Sequence, residues 1–253
     1  MTTLPPIVEL FSGVEGVRAF STTRGCLDPA APHDGFSVCD YVEGFDAVAV
    51  AGCRDRLAGE FGLRREALVV PRQTHSVRVA VVGADMASDG GAVPEVDALV
   101  TADPGVILCV NTADCAPVVF VDPKARIAGA CHSGWRGTVG NIAVATVEAM
   151  VGLGADPASV LVAFGPMICG NCFEVGREVA SLFDPADVME SSSGGRPHVD
   201  LHGAICHRLL EAGILREHMA SPIACPMCEP GRFFSARRLG VASGRTATAI
   251  ALV

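Results

Sequence analysis

Residues 111–141 read NTADCAPVVFVDPKARIAGACHSGWRGTVGN, with a VDPK turn at 121–124 between apolar runs. Apolar runs of this length, bounded by turn residues, predict short buried β-strands. Cys115 follows Asp114 at the end of one apolar run, and His132 follows the next. We therefore expect a thiol and an imidazole at neighbouring strand ends of one sheet.

A glycine-rich segment follows His132 and surrounds the only tryptophan, Trp135, and the charged Arg136. Its glycines are Gly134, Gly137 and Gly140. Glycine lets the backbone approach a ligand closely, so this composition is typical of a binding segment rather than of a packed core. A helix is expected to begin near Thr138.

The chain of 253 residues can bury a large core, and we expect residues 1–253 to form a single domain. The longest apolar runs are strand-sized, well below the ~18 residues that a membrane helix requires. The opening sequence MTTLPP has neither the basic region nor the apolar core of a secretion signal. We therefore expect a soluble, cytoplasmic protein with no membrane partner.

The net charge restricts the class of binding partner, and the cysteine content indicates the state of the thiols. A formal net charge of −9 does not supply the positive field that nonspecific nucleic-acid binding needs, so we expect a small-molecule partner.

The 11 cysteines are odd in number, and several lie inside apolar segments. This pattern favours reduced thiols over a disulfide framework.

Hydrophobic periodicity and turn residues predict the remaining elements. The predicted helices span residues 46–61, 139–153, 175–183 and 201–212. The predicted strands span residues 67–71, 77–82, 106–110, 160–164 and 246–253, with a strand and turn within 7–25. The predicted loops span residues 26–44, 83–95 and 187–198.

His75, Cys115 and His132 each lie beside a predicted strand in a polar or glycine-containing bend. Two imidazoles and one thiolate suit zinc or copper, and three protein ligands leave one coordination position open, as in catalytic sites. Alternatively, Cys115 could be a nucleophile with His132 as its base, but this leaves His75 without a role. The metal site is the preferred interpretation.

Two CxxC pairs, Cys169 with Cys172 and Cys225 with Cys228, resemble halves of a zinc ribbon. Residues 173–224 separate them, far more than the usual spacing, so we expect ordinary reduced thiols. The chain also lacks the His-x-Glu and Pro-Cys-x-x-Cys signature of nucleobase deaminases, the phosphate-binding loop and the dinucleotide fingerprint.

Three arginines flank the candidate ligands: Arg72, Arg78 and Arg136. A guanidinium group binds anionic substrate groups through paired hydrogen bonds, although many arginines only form surface ion pairs. The indole of Trp135 could stack on a planar ring, although packing in a core is the commoner use of tryptophan.

Seven short motifs occur along the chain: QTHS at 73–76, DALVT at 97–101, TADCAPV at 112–118, HSGWRG at 132–137, GPMI at 165–168, FEV at 173–175 and FFSARR at 233–238. Together, and in this order, they resemble the YfiH-like laccase-domain family. The resemblance runs from about residue 20 to the C-terminus. Several motifs in one order are much more specific than any single motif.

This resemblance implies an α+β fold, a single domain with mixed β-sheets surrounded by helices. It also implies a metal, Zn²⁺ or alternatively Cu²⁺, held by His75, Cys115 and His132. Members are described as purine nucleoside phosphorylases that cleave adenosine, inosine, guanosine and methylthioadenosine with phosphate, with adenosine deaminase activity at the same site. Older names call them multicopper polyphenol oxidases, and some bacterial members are called peptidoglycan editing factors.

The chain departs from the usual family residues at five positions: Ser133, Cys169, Phe173, Pro226 and Ala236. The three ligand positions are intact, so these changes bear on substrate preference more than on metal binding. A cluster of several copper ions needs many imidazole ligands. The chain has seven histidines, of which two are near Cys115, and these are too few for such a cluster. The polyphenol oxidase name therefore fits poorly.

We expect purine nucleosides and phosphate as the small-molecule partners. Cys115, His132 and Asp114 are the expected catalytic residues, and Asp114 orients a ligand or shuttles a proton. Arg78 or Arg136 is expected to bind phosphate. The alternative is a cytoplasmic hydrolase that edits muramoyl peptidoglycan precursors, but such anionic substrates favour a more basic chain than this one.

Overall fold

The computed structural model describes residues 5–25, 28–42, 44, 46–88, 95–191 and 194–253. Parts of the predictions made from the sequence lie outside the described residues. These parts are the N-terminal residues 1–4 and, within the three predicted loops, residues 26–27, 43, 89–94 and 192–193. Among the described helices, none is both long enough and apolar enough to cross a bilayer.

The described residues form 12 strands and 7 α-helices. The strands are β1 (Ile7–Leu10), β2 (Val17–Thr22), β3 (Leu68–Val69), β4 (Val79–Val81), β5 (Ala98–Thr101), β6 (Ile107–Thr112), β7 (Ala116–Asp122), β8 (Ile127–Ser133), β9 (Leu161–Phe164), β10 (Val188–Met189), β11 (His198–Val199) and β12 (Thr246–Leu252). The helices are α1 (Ala47–Glu60), α2 (Ala84–Ser88), α3 (Trp135–Val139), α4 (Ile142–Gly152), α5 (Arg177–Ala180), α6 (Leu201–Glu211) and α7 (Ala236–Leu239).

Most strands belong to two five-stranded sheets. The first sheet has the strand order β1-β2-β12-β6-β3, and the second has the order β4-β5-β8-β7-β9. The pairs β3 with β6 and β4 with β5 are parallel, whereas the other pairs within these sheets are antiparallel. Both sheets are therefore mixed, as the family resemblance implies.

The two sheets pack face to face through small and branched side chains. Val110 and Ile250 of the first sheet share this core with Val119 and Ala130 of the second. Helix α1 packs through Leu57 on the outer face of the first sheet, and helices α4 and α6 pack on the outer face of the second. This order of layers, helix, sheet, sheet and helix, confirms the α+β class with mixed sheets surrounded by helices.

The stretch 111–141 forms the middle of the second sheet. Strands β7 and β8 pair antiparallel with Pro117 opposite His132, and the turn between them is held by Asp122, whose Oδ1 accepts the N–H of Lys124 at 2.9 Å. Cys115 directly precedes β7. The thiol and the imidazole therefore lie at the same end of the sheet, which confirms the sequence prediction.

The helix predicted over 139–153 corresponds to α4, and a separate short helix, α3, precedes it. Helix α3 begins directly after Gly134, earlier than expected, and α4 follows a break at Asn141, where φ is 66°. Asparagine tolerates this left-handed conformation better than most residues, so it can interrupt the helix at low cost. Helix α4 covers most of the predicted range, and α3 lies almost entirely before it.

Two further predictions differ from the structure between residues 175 and 199. The helix predicted over 175–183 is reduced to α5, because Val175 donates its N–H to Pro197 O at 2.9 Å. The loop predicted over 187–198 contains β10 and leads into β11, which pair antiparallel. The pairing of β10 with β11 replaces the predicted loop, and the hydrogen bond from Val175 to Pro197 replaces the first turn of the predicted helix. The sequence pattern of neither segment indicates its partner.

Gly165, directly after β9, occupies a position with no room for a side chain. A Cβ there would lie 2.6 Å from Ser21 Oγ, 2.7 Å from Thr248 Oγ1 and 2.8 Å from Pro117 Cγ. We expect Gly165→Ala to lower the free energy of unfolding by roughly 1–3 kcal/mol, the usual cost of overpacking a core. Urea unfolding measures the change.

The matched control is Gly59→Ala in α1, where a Cβ would meet no atom within 4 Å. This substitution should raise the free energy of unfolding by about 0.5–1 kcal/mol, because alanine is the better helix former. Similar effects of the two substitutions would contradict the packing argument.

Candidate functional site

His75, Cys115 and His132 meet at one end of the second sheet, and we call them the His–Cys cluster. Each offers one ligand atom, and these atoms all lie within 4.8 Å of one another. His75 Nε2 is 3.9 Å from Cys115 Sγ. The two imidazole rings meet edge to face, with centroids 4.7 Å apart. The structure thus brings together the three residues that the sequence analysis selected as metal ligands.

The local backbone explains how each side chain arrives there. His132 lies near the end of β8, and Cys115 lies just before β7, opposite that end. Asp114 has a φ of 86°, and this left-handed residue turns the chain from β6 into β7. His75 also has a positive φ, 59°, in the bend between β3 and β4. Non-glycine residues in this region are uncommon and persist where their surroundings stabilise them.

The buried carboxylate of Asp97 stabilises the bend around His75. Its oxygens accept the backbone N–H groups of Thr74 at 3.2 Å, His75 at 3.0 Å and Ser76 at 2.7 Å. They also accept the hydroxyl of Ser76 at 2.7 Å. One side chain therefore accepts the backbone N–H groups of three successive residues. These hydrogen bonds offset the conformational cost of the left-handed backbone at His75.

Asp97 also orients the second imidazole. His132 Nδ1 lies 2.9 Å from Asp97 Oδ1, and the backbone N–H of His132 donates to Asp97 O at 2.8 Å. When Nδ1 donates to a carboxylate, Nε2 is the nitrogen that remains for a metal ion, which it binds once its own proton has left. The imidazole therefore offers Nε2 to the cluster.

Charges around the cluster favour the thiolate of Cys115. Burial would raise the pKa of Cys115, but the charge of His132 and hydrogen bonds from His132 and His75 lower it to about 6. Burial would lower the pKa of His132, but the Cys115 thiolate and Asp97 raise it to about 9. Burial would raise the pKa of Asp97, yet hydrogen bonds from His132 and Ser76 hold it well below its usual range. A thiolate, the form that binds metals and attacks electrophiles, is thus favoured near neutral pH.

Gly134 provides the space in which the cluster is assembled. A Cβ at this position would lie 2.9 Å from Cys115 Sγ and 2.9 Å from His75 Cδ2. Its backbone is extended, with φ −75° and ψ 176°, so other residues could adopt this conformation. Glycine is therefore required here by the close approach of two cluster residues and not by backbone strain.

Asp114 contacts the C-terminal part of the chain rather than the cluster. Its Oδ2 accepts the backbone N–H of Arg237 at 2.7 Å, and its backbone oxygen accepts the N–H of Ile168 at 2.9 Å. Burial raises its pKa, although hydrogen bonds from the Arg237 and Ser235 segment oppose this. Among the described residues, no group hydrogen-bonds its buried Oδ1.

The two arginines selected as phosphate ligands differ in their surroundings. Arg136 is exposed on α3, with its guanidinium carbon 4.1 Å from the ring centroid of Trp135, and it forms no ion pair within the described part of the chain. Arg78 pairs with Glu95, Nη2 to Oε2, at 3.3 Å. Arg72 is exposed. Of the two selected arginines, Arg136 thus has the guanidinium group that is more available to an anion.

Two features of this region are not evident from the amino-acid sequence. Asp97 was quoted only as part of a motif, and its role depends on the pairing of β5 with β4 and β8, which the sequence pattern does not reveal. The second feature is a convergence of four cysteines: Cys169, Cys172, Cys225 and Cys228. All four are free thiols in the structure, as expected, but tertiary folding brings the two CxxC pairs together despite their separation along the chain.

Known proteins share both the sequence and the fold. A family model described as multi-copper polyphenol oxidoreductase laccase matches residues 18–253. Adenosine deaminase RL5, from an unknown prokaryotic organism, is 45% identical over 254 residues, which cover 96% of this chain and 97% of that protein. A purine nucleoside phosphorylase from Deinococcus radiodurans is 42% identical over 199 residues, 78% of this chain and 75% of that protein.

The fold has close counterparts among solved structures. The crystal structure of the Bacillus licheniformis hypothetical protein YfiH aligns with a TM-score of 0.89 and 27% identity, and the alignment covers 98% of this chain and 97% of that chain. Geobacillus stearothermophilus YlmD aligns with a TM-score of 0.86 and 30% identity over 98% of this chain and 99% of that chain. With a family model that spans nearly its whole length, the chain belongs to the YfiH-like family described as multi-copper polyphenol oxidoreductase laccases.

Proposed function

We propose that this protein is a metal-dependent purine nucleoside phosphorylase that also deaminates adenosine at the same site. Its proposed substrates are adenosine, inosine, guanosine and methylthioadenosine, with phosphate as the second substrate. The observation that carries this proposal is the His–Cys cluster, whose three ligand atoms lie within 4.8 Å of one another. The relatives named adenosine deaminase RL5 and purine nucleoside phosphorylase support the choice of substrate class.

The residues present fit a bound metal ion. Two imidazoles and a thiolate are the donors that zinc and copper prefer, and three ligands leave a tetrahedral metal with one open position. The hydrogen bond from His132 to Asp97, 2.9 Å long, is the carboxylate–histidine contact that commonly supports a metal-binding imidazole. We therefore assign His75, Cys115 and His132 as ligands of Zn²⁺, with Cu²⁺ as the alternative.

Each chain residue has a separate task in this proposal. A metal held by the cluster supplies Lewis-acid chemistry at the reacting centre. Asp97 keeps Nε2 of His132 directed into the cluster, and the lowered pKa of Cys115 keeps its sulfur ionised near neutral pH. Asp114, with its free buried Oδ1, is proposed to orient a ligand or to accept and return a proton.

Arg136 is the proposed phosphate ligand. Its guanidinium is exposed, stacks on Trp135 and forms no ion pair among the described residues, so no internal carboxylate competes with a bound anion. Arg78 is the second candidate, although Glu95 already engages it at 3.3 Å. In phosphorolysis the phosphate attacks the ribose carbon as positive charge develops there, so an arginine must hold the phosphate without neutralising its nucleophilic oxygen.

The donor set argues against oxidation of polyphenols by several coppers. That chemistry uses a group of copper ions with many imidazole ligands, whereas the His–Cys cluster contains two of the seven histidines. Among the others, the His202 ring meets the Phe164 ring edge to face with centroids 4.7 Å apart, and His207 pairs with Asp187 at 3.0 Å. Both rings therefore have other partners, and neither belongs to the His–Cys cluster.

The proposal predicts phosphate-dependent cleavage of nucleosides. Inosine incubated with the purified protein and phosphate should give hypoxanthine and ribose 1-phosphate, separated by chromatography, and neither product should form without phosphate. Adenosine should also give inosine. Cys115→Ala should abolish all products because it removes one of three metal ligands.

Cys53→Ala is the matched control, because Cys53 lies on α1 at the far face of the first sheet and should leave both activities unchanged. No product from the wild-type protein, with metal confirmed in the sample, would refute the proposed function. Release of an amino acid from a muramoyl precursor would then support the peptidoglycan-editing alternative.

The assignment of Arg136 predicts a specific defect in phosphate use. Arg136→Gln should raise the KM for phosphate by about 10- to 100-fold, which corresponds to the ~1.5–3 kcal/mol of a hydrogen bond to a charged group. Deamination of adenosine does not use phosphate, so its rate should stay near that of the wild type. An unchanged KM for phosphate would remove Arg136 from the scheme.

The space at Gly134 predicts how the cluster responds to one added methyl group. Gly134→Ala should reduce the amount of metal that the purified protein retains, because its Cβ would displace Cys115 Sγ and the His75 ring. Metal content is measured by mass spectrometry on matched preparations. Gly152→Ala is the control, since a Cβ there meets no atom within 4 Å. Full metal retention in Gly134→Ala would contradict the proposed coordination.

A further inference from the structure

Four cysteines outside the His–Cys cluster converge beside the loop that follows β9. We call Cys169, Cys172, Cys225 and Cys228 the cysteine cluster. Their sulfur atoms all lie within 4.8 Å of one another, and the Sγ atoms of Cys172 and Cys228 are 3.6 Å apart. Cys225 is buried, whereas Cys228 is exposed. The cluster is thus partly enclosed but reachable from solvent.

The two CxxC pairs of the cysteine cluster form the same type of turn. In each pair, the N–H groups of the second cysteine and of the next residue donate to the carbonyl oxygen of the first cysteine. The distances are 2.9 and 3.0 Å at Cys169, and 3.0 and 2.9 Å at Cys225. The N–H of Cys169 also lies 3.4 Å from Cys225 Sγ. Two segments 56 residues apart therefore present their thiols in the same way to one point.

The sulfur separations fit one tetrahedral ion. Four thiolates with Zn–S bonds of ~2.3 Å lie about 3.8 Å from one another, close to the observed spacing. The 3.6 Å between Cys172 and Cys228 is far longer than a disulfide bond, which is ~2.05 Å. A polynuclear iron–sulfur cluster binds its cysteines through different iron atoms and therefore needs sulfurs that are further apart.

We propose that the cysteine cluster is a second metal site, which binds a single Zn²⁺ through all four thiolates. Four protein ligands complete the tetrahedral coordination and leave no position for water or substrate. The site is therefore structural, in contrast to the open His–Cys cluster. This inference does not depend on the proposed nucleoside chemistry.

The surrounding hydrogen bonds indicate what the zinc ion would hold together. Met167, next to this cluster, donates its N–H to Ala224 O at 3.0 Å, and Ile168 donates to Asp114 O at 2.9 Å. The loop after β9 thus contacts both the segment before Cys225 and the turn that carries Cys115. A metal bound by both CxxC pairs would fasten the C-terminal segment to the wall of the His–Cys cluster.

The test is the metal content of the full-length protein, purified under reducing conditions, for three proteins: wild type, Cys115→Ala and Cys172→Ala/Cys228→Ala. Because there are two separate groups of ligands, the wild type should carry two metal ions per chain and each variant should carry one. Cys53→Ala should retain both. Urea unfolding confirms that the variants are folded, and the single variant Cys228→Ala at the exposed ligand replaces the double variant if that one does not fold.

Cobalt substitution identifies which site is occupied. Four thiolates around Co²⁺ give intense sulfur-to-cobalt charge-transfer absorption, which should persist in Cys115→Ala and disappear in Cys172→Ala/Cys228→Ala. Unchanged metal content in the double variant would overturn the proposal, as would iron in place of zinc. A disulfide within the cysteine cluster of the protein as purified, detected as a mass lower by two hydrogens, would overturn it as well. Neither result would alter the nucleoside proposal, which depends on Cys115.

Discussion

The buried carboxylate of Asp97 is the interaction on which the His–Cys cluster depends. An isolated carboxylate in a protein interior is very costly, and it is tolerated only when its oxygens are fully hydrogen-bonded. Asp97 meets this condition by holding the bend at His75 and the ring of His132 at the same time. The cost of burying the charge and the cost of the left-handed backbone at His75 are thus offset by one set of contacts.

Strand direction explains why these residues meet. Asp97 lies just before β5, and His75 precedes β4, so the parallel pairing of these strands puts both at the same end of the sheet. Strand β8 is antiparallel to β5, and its end, with His132, therefore lies there too. Strand β7 is antiparallel to β8, so Cys115 before its start completes the group. The mixed sheet is thus a requirement of the site.

Two thiol-containing clusters lie on either side of the turn at Asp114. The His–Cys cluster has three donors and a glycine that keeps space beside them, which suits chemistry on a ligand. The cysteine cluster has four equivalent donors on two matching turns, which suits a permanently bound ion. Asp114 connects the two regions, since it turns the chain into Cys115 and also accepts the N–H of Ile168.

Local sequence patterns predicted most strands of the two large sheets and the chemistry of the individual residues. Apolar runs and turn residues predicted β7, β8 and the shared end of Cys115 and His132, because strand periodicity and tight turns are local properties. Ordered motifs predicted the family and hence the mixed α+β fold. Tertiary structure alone decided the role of Asp97, the break at Asn141 and the meeting of the CxxC pairs. These features depend on contacts between segments that are far apart in the chain. A local sequence pattern gives the residue type at each position but not the distant residue that it will contact.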